Sequence, residues 1–210
     1  MRSNVVGRAQ FRVLSREGDR SLANSAGLLW WPRARREWAR PGLMMYGIAP
    51  QGNELPHLMP AMSFTSEIFA ARDVAAGEPL GYGATYVATR AMRVGLVCAG
   101  YADGYPQTAA TGTPIAVNGH RTSLVGRVSM DMLMVDITSL PGVGIGSEVE
   151  LWGGNVRITD VAKAAGRIAY ELVCNVKRAP RIYRDRLNDA LDSTSMTGQF
   201  ELPARVRSIA

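Results

Sequence analysis

The chain has 210 residues, of which 47% are hydrophobic, and its formal net charge is +6. This length allows one large domain or a domain and a half, with enough apolar residues for a packed core. No apolar run approaches the roughly 20 residues of a membrane span, and no signal-peptide pattern opens the sequence, so we expect a cytoplasmic protein without a membrane partner.

Residues 1–55 mix short apolar runs with helix-like segments, an alternation typical of an α/β unit. Asn24 and Ser25 follow the apolar pair Leu22-Ala23, and both side chains are suited to capping the start of a helix. The segment WARPGLMMYG, residues 38–47, then predicts a loop that leads into a buried strand.

The densest basic cluster of the chain also lies in this part, at Arg33, Arg35 and Arg36, with Arg40 following. No basic stripe with interleaved aromatic residues extends from it, so a solvated helix face is the preferred interpretation and we expect no nucleic-acid partner. The alternative of a nucleic-acid-binding protein is supported by charge alone, and a lack of salt-dependent retention on DNA would dismiss that alternative.

Residues 56–185 have a different character, with short β-rich runs separated by turns, which predicts a compact and mostly antiparallel β domain. The runs are 62–71, 84–89, 94–98, 113–117, 122–125, 130–137 and 148–152. Asn118-Gly119 between two of them predicts a two-residue hairpin. Cys98 and Cys174 lie in apolar runs and are interpreted as small buried hydrophobic residues rather than a disulfide.

The end of the chain combines a short helix, a strand and a tail in our prediction. Thr159-Asp160 is suited to capping a helix over residues 161–165, which Gly166 would end. Residues 168–176 predict a return to strand. Residues 186–210 are polar and are interpreted as a flexible tail.

Two tyrosines stand in glycine-rich turns, Tyr82 in GYGATY (residues 81–86) and Tyr101 in GYADGYP (residues 100–106). Glycine lets the backbone bend sharply and approach a ligand. Taken alone, each tyrosine is better explained as a structural residue of a turn, and nothing in the composition demands catalysis.

Six segments in order nevertheless resemble alanine racemase, a pyridoxal-phosphate enzyme that interconverts L- and D-alanine. They are LANSAG (22–27), RPGLMMYG (40–47), GYGATY (81–86), GYADGYP (100–106), GRVSMDML (126–133) and AYEL (169–172). The segments around residues 21–25, 111–114 and 128–133 resemble most the catabolic, alanine-degrading branch of that family.

The resemblance implies an α/β plus all-β fold, in which residues 1–55 are the last units of a (β/α)8 barrel and residues 56–185 are the family's C-terminal β domain. It implies pyridoxal phosphate as cofactor and alanine as substrate. It also implies a homodimer, in which the β domain reaches over the partner's barrel so that the active site is shared between subunits.

Residue roles follow from the same resemblance. Tyr82 matches the catalytic tyrosine, which exchanges the α-proton on one face of the substrate. The substrate-binding positions are Tyr101, the main chain at Met130, and the adjacent Asp131. The cofactor-binding positions are Asn24, Ser25, Arg40, Gly42, Leu43 and Tyr170, and no residue is assigned to a metal.

Arg40 matches the arginine that faces the pyridine nitrogen of the cofactor. A guanidinium keeps its protons at any working pH, so the ring nitrogen would accept a hydrogen bond rather than carry a proton. An unprotonated ring is a weaker electron sink, which favours return of the proton over transamination. Without the resemblance, Arg40 is a surface arginine before a Pro-Gly turn.

The chain also departs from the family pattern. Ser21 stands where many racemases carry histidine, Gln107 where arginine is usual, and Ala179 interrupts Arg-Val-Pro-Arg. The only lysines, Lys163 and Lys177, have no cofactor-lysine context. We therefore expect a truncated racemase that is inactive alone; the alternative is a non-catalytic fragment or a β-domain interaction module.

Overall fold

A computed structural model describes residues 18–50, 55 and 57–183. The chain divides into two units, Met1–Arg178 and Ala179–Ala210, and residues 179–183 are the described part of the second. The predicted flexible tail, residues 186–210, lies outside the described residues. The predicted domain boundary between residues 55 and 56 stays a prediction.

The first elements form a parallel β-α-β unit. Strand β1 (Ser21–Asn24) leads into helix α1 (Ser25–Trp30), and strand β2 (Trp38–Arg40) returns parallel to β1. The predicted helix cap is confirmed, because the Asn24 Oδ1 accepts a hydrogen bond from the Gly27 N–H at 2.9 Å. A parallel strand pair joined by a helix is the repeating unit of a (β/α) barrel.

The prediction that residues 38–47 form a loop leading into a buried strand is wrong. The three residues of β2 are exposed, and Gly42–Met45 form a short helix, α2, instead of continuing a strand. Pro41 explains the break, because proline has no N–H for a sheet ladder and its fixed φ suits the start of a helix.

Side-chain hydrogen bonds join the start of β1 to the start of β2. The Arg20 side chain donates to the Glu37 carboxylate, with an Nη2–Oε1 distance of 2.7 Å. This hydrogen bond lowers the pKa of Glu37 to about 2. The Trp38 indole N–H donates to the Asp19 carboxylate at 2.8 Å.

Six antiparallel strands close into a small barrel: β3 (Phe64–Val74), β6 (Met92–Val97), β7 (Pro114–Val117), β8 (His120–Val125), β9 (Leu133–Asp136) and β10 (Glu148–Trp152). Their order around the barrel is β10-β3-β6-β9-β8-β7. A separate hairpin pairs β4 (Pro79–Leu80) with β5 (Tyr86–Val87). Fully buried aliphatic side chains such as Ile68, Val94, Ile115, Leu124 and Val135 fill the core. Closure leaves few free strand edges, so the barrel is a rigid support for its loops.

The prediction of an antiparallel β domain is confirmed. Six of the seven predicted runs are barrel strands with bounds shifted by at most three residues, and the seventh, 84–89, contains β5. The Asn118-Gly119 hairpin is also confirmed: it joins β7 to β8, and both residues have positive φ, 47° and 79°.

Two predictions about the helical end of the domain are wrong. Residues 168–176 are not a strand, because Ala169–Asn175 form helix α4 with Ala169 and Leu172 buried at a helical spacing of three. Helix α3 spans Ile158–Ala164 and so begins three residues before the predicted start. Thr159-Asp160 does not cap it; the Asp160 carboxylate lies in the first turn and pairs with Arg157 at 2.9 Å.

The two cysteines are exposed rather than buried. Cys98 follows the last residue of β6, and Cys174 lies on the solvent side of α4 beyond the buried Leu172. None of the helices among the described residues is long and apolar enough to cross a membrane.

A cluster of three aromatic rings, Phe64, Tyr105 and Trp152, contains two buried polar atoms. The Trp152 ring lies 4.8 Å from the Phe64 ring and 6.1 Å from the Tyr105 ring, between ring centroids. The Tyr105 hydroxyl and the Trp152 indole N–H are buried and have no hydrogen-bond partner among the described residues. Burial raises the pKa of the Tyr105 phenol.

Tyr105→Phe is therefore expected to leave the free energy of unfolding unchanged or to raise it by up to about 1 kcal/mol, because it removes an unsatisfied buried hydroxyl. The control is Thr113→Val, since the buried Thr113 hydroxyl donates to the Ala110 carbonyl at 2.6 Å. That change is expected to cost about 1 kcal/mol. Urea denaturation of both variants measures the difference, and a larger loss in Tyr105→Phe than in Thr113→Val would contradict it.

Candidate active site

The turn that carries Tyr82 lies against the segment that leads to Met130. Tyr82 begins a 3₁₀ turn, Tyr82–Ala84, between β4 and β5. A Cβ built on Gly81 would lie 3.2 Å from the Arg127 nitrogen and 3.6 Å from the Gly126 Cα. The two backbones thus touch, and residues 126–131 continue from this contact.

The turn that carries Tyr101 lies against the other end of the same segment. The Tyr101 N–H donates to the Ser129 carbonyl at 3.1 Å, and the Ala102 N–H donates to the Met130 carbonyl at 3.0 Å. A Cβ on Gly100 would lie 2.2 Å from the Met130 oxygen and 2.4 Å from the Ser129 oxygen, so only glycine fits there. Segments that are far apart in sequence therefore meet at residues 126–131.

The predicted substrate residues keep much of their surface free in this arrangement. Tyr82 is 72% exposed, Met130 is 53% exposed and Tyr101 is 36% exposed. The Met130 carbonyl accepts from Ala102, whereas the Met130 N–H makes none of the hydrogen bonds found among the described residues. An N–H held on fixed backbone is a suitable donor for a carboxylate. The Asp131 carboxylate lies 3.4 Å from the Arg178 side chain.

A polar cavity of about 410 Å³ adjoins this cluster. Its walls include Thr85, Tyr86, Gln107, Thr111, Gly126 and Arg127. Thr111 is also a structural residue, because its hydroxyl accepts a hydrogen bond from the Gly126 N–H at 2.9 Å. Hydroxyl groups and one guanidinium make the cavity suited to a small polar molecule.

Five of the six predicted cofactor residues lie together at the carboxyl ends of β1 and β2. Asn24 pairs with Arg40 across the two strands, and Ser25 begins α1 beside them. Gly42 and Leu43 are the first residues of α2. The Ser25 hydroxyl links α1 to α2, because it accepts a hydrogen bond from the Met44 N–H at 3.2 Å. This is the edge of a parallel sheet at which ligands bind in barrel folds.

Arg40 is held by Ser21, the residue that stands in place of the family's usual histidine. The Arg40 Nη1 donates to the Ser21 carbonyl at 2.8 Å and also to the Ser21 hydroxyl. These bonds fix the guanidinium at the end of β2. The structure places the sixth residue, Tyr170, on a different element, the first turn of α4, where it is 47% exposed.

The donor set of this cluster fits the phosphate of pyridoxal phosphate. Ser25 is only 3% exposed, its oxygen accepts from the Met44 N–H, and its own O–H makes none of the hydrogen bonds found among the described residues. The first N–H groups of a helix, here those of Gly42 and Leu43, have no acceptor within the helix. Hydroxyl and N–H donors of this kind bind phosphate oxygens.

Several residues of the site were not found from the sequence. Arg178 bridges two loops, lying 3.4 Å from Asp131 and 3.9 Å from Asp103. Arg127 and Thr85 line the polar cavity. Arg127 and Arg178 lie within or beside the motifs, but nothing in the sequence separates them from the other arginines of a basic chain.

Two family models match separate parts of the chain. The model of the alanine racemase C-terminal domain matches residues 61–183, and the model of the alanine racemase N-terminal domain matches residues 8–50. The chain belongs to the alanine racemase family.

Relatives and solved structures of alanine racemases agree with this assignment. The chain is 60% identical over 167 residues to the alanine racemase of Azoarcus sp. strain BH72, which covers 80% of this chain and 47% of the relative. It is 51% identical over 166 residues to the catabolic alanine racemase of Pseudomonas putida, covering 78% and 46%.

Among solved structures, the biosynthetic alanine racemase of Pseudomonas aeruginosa superposes with a TM-score of 0.76 at 46% identity, covering 85% of this chain and 51% of that one. The alanine racemase of Bartonella henselae, solved with covalently bound pyridoxal phosphate, gives a TM-score of 0.78 at 31% identity, covering 88% and 53%. The chain thus spans about half the length of the curated relatives and solved racemases that it matches.

Gly100→Ala is expected to lower the free energy of unfolding by about 2–4 kcal/mol, because the new Cβ would push residues 101–102 off their two carbonyl acceptors. Gly154→Ala is the matched control, since a Cβ there meets nothing within 4 Å and its φ is ordinary. That change is expected to stay within about 0.5 kcal/mol. Denaturant titration compares them, and equal stability of the two variants would show that the close contact at Gly100 is absent.

Proposed function

We propose that the chain provides the substrate-side half of a pyridoxal-phosphate-dependent alanine racemase. The observation that carries this proposal is that the turns of Tyr82 and Tyr101 both contact the main chain of residues 126–131, the segment that contains Met130. Chance similarity of separate motifs would not produce main-chain contacts between them.

Tyr82 is the proposed acid–base group on one face of the substrate. Its hydroxyl would take the α-proton from one enantiomer and return a proton to the same face for the other. Racemisation needs a second base on the opposite face. The resemblance assigns that role to a lysine in a part of the family's barrel that residues 18–183 do not contain.

The Met130 N–H and the Tyr101 hydroxyl are the proposed contacts of the substrate. The N–H stands on backbone fixed by the Gly100 and Ala102 contacts, so it would bind the carboxylate of alanine without reorganising. Holding the carboxylate fixes the α-carbon relative to Tyr82. Such positioning accounts for a large part of enzymatic rate enhancement.

The cluster at β1 and β2 is the proposed cofactor site. Ser25, Gly42, Leu43 and Tyr170 would bind the phosphate, with Asn24 shaping the loop as the helix cap. Arg40 would donate to the ring nitrogen from the position that Ser21 gives it. When bound, pyridoxal phosphate supplies the electron sink that makes the α-proton acidic.

A homodimer with a shared site is part of the same proposal. The ring of Tyr82 is 72% exposed, whereas proton transfer between a phenol and carbon is favoured where water is excluded. A second copy of the family's barrel placed over Tyr82 and Met130 would exclude that water. This supports the family's arrangement, in which the tyrosine acts in the partner's site.

The alternative is a racemase fragment or interaction module without catalysis. Lys163 lies on α3 and Lys177 follows α4, so both lysines of the chain belong to its later part. A chimaera decides between the two: the barrel half of the Azoarcus relative is joined ahead of Ser21, and conversion of L- to D-alanine is measured. Turnover above background supports the racemase proposal; none, with cofactor bound, favours the alternative.

In that chimaera, Tyr82→Phe is expected to lower kcat by about 10²- to 10⁴-fold, because the acid–base hydroxyl is removed with little change of shape. The absorbance of bound pyridoxal phosphate should be unchanged. The control is Tyr183→Phe, an exposed tyrosine outside the residues assigned to the site, which should keep the parent rate. If Tyr82→Phe racemises near the parent rate while Tyr101→Phe does not, the catalytic tyrosine is wrongly assigned.

A further inference from the structure

Helix α4 ends against the turn that carries Tyr101. Gly104 closes that turn with a φ of 113°, and a Cβ there would lie 2.7 Å from both the Asn175 oxygen and the Val176 Cα. The turn is therefore in direct backbone contact with the carboxyl end of α4. Because Gly104 and Tyr101 are three residues apart, a displacement of α4 would move the Tyr101 backbone.

The residues after α4 also link the two substrate turns through charge. Arg178 lies 3.9 Å from the Asp103 carboxylate and 3.4 Å from the Asp131 carboxylate. The other oxygen of Asp103 accepts the Gly100 N–H at 2.9 Å. One guanidinium thus bridges the Tyr101 turn and the Met130 segment.

The face of α4 that carries Val173 borders a cavity shared with the parallel unit. Val173 lines a cavity of about 370 Å³ together with Tyr46 and Gly47, the residues that follow α2. Tyr170 lies one helical turn before Val173, on the same face of α4. The helix therefore contacts the Tyr101 turn at its carboxyl end and shares a cavity with the residues that follow α2.

We propose that α4 positions the Tyr101 turn and, through Arg178 beyond its end, the Met130 segment, with Gly104 and Arg178 as the positioning residues. Gly104 sets the distance between the Tyr101 turn and the helix by close backbone contact. Arg178 holds the Tyr101 turn and the Met130 segment to each other. Neither residue touches substrate or cofactor, and the assignment of what they position rests on the proposed function.

Amide hydrogen exchange on the unmodified chain and on Arg178 variants tests the charge bridge. Arg178→Gln is expected to speed exchange of residues 100–104 and 129–132 by about two- to fivefold, the range for loss of an exposed ion pair. Arg178→Lys keeps a cation and should restore slow exchange. The control is Arg121→Gln, which removes another exposed pair of 3.4 Å, with Asp160, and should leave both segments unchanged.

Gly104→Ala and Gly112→Ala separate contact from backbone strain. Both glycines have positive φ, 113° and 91°, but a Cβ on Gly112 meets nothing within 4 Å. Gly104→Ala is expected to speed amide exchange of residues 100–104 by about tenfold or more. The faster exchange should also reach residues of α4. Gly112→Ala should affect only its own turn. Equal and local effects in both variants would overturn the proposal.

The kinetic readout uses the racemising chimaera. Arg178→Gln should raise KM for alanine about two- to fivefold with a smaller change in kcat, and Arg178→Lys should restore KM. A fall in kcat alone, or exchange rates unchanged in Arg178→Gln, would overturn the positioning role. The exchange experiments need no turnover, so a chimaera without activity would count against the proposed function and leave the exchange result to decide the role of α4.

Discussion

The close approach of Gly100 to the Ser129 and Met130 carbonyls is the constraint on which the substrate side of this protein depends. Two main-chain hydrogen bonds, from Tyr101 and Ala102, are possible only because a glycine leaves room for the two oxygens. Backbone contacts of this kind fix position more strictly than side-chain contacts, since no rotamer change can relieve them. The Tyr101 backbone and the Met130 N–H consequently stand in a fixed relation.

The closed barrel holds the residues on both sides of this contact in place. Residues 126–131 connect β8 to β9, neighbouring strands whose ladder is part of the closed sheet, and the Tyr101 turn follows β6, which pairs with β9. The loops that carry the proposed substrate contacts therefore extend from adjacent strands of one rigid support. The parallel unit of β1 and β2 supplies the other kind of site, with hydroxyl and N–H donors at the strand ends suited to a phosphate. The proposed function requires both kinds of site, one for the cofactor and one for the acid–base tyrosine.

The strands and the hairpin at Asn118-Gly119 could be predicted from the sequence, because alternating apolar residues and turn residues are local signals. The helix α4 could not, because its apolar residues also fit a short strand and only its packing decides between them. The exposure of Cys98 and Cys174 depends on where β6 and α4 end. Those ends are set by packing against distant residues, so the local sequence does not show them. For the site, resemblance supplied the identities of Tyr82 and Arg40, whereas the bridge made by Arg178 appears only when residues 103, 131 and 178 are placed in space.

The most direct measurement of the central claim is residue-resolved amide exchange of Tyr101 and Ala102 by NMR in the unmodified chain. These amides lie in a turn outside any strand, yet they are bonded to the Ser129 and Met130 carbonyls at 3.1 and 3.0 Å. The structure predicts that they exchange within about tenfold of the amides of β9, which belong to the barrel ladder. Exchange at the rate of an unstructured peptide, while β9 stays protected, would show that the Tyr101 turn is not held against Met130 and would contradict the account.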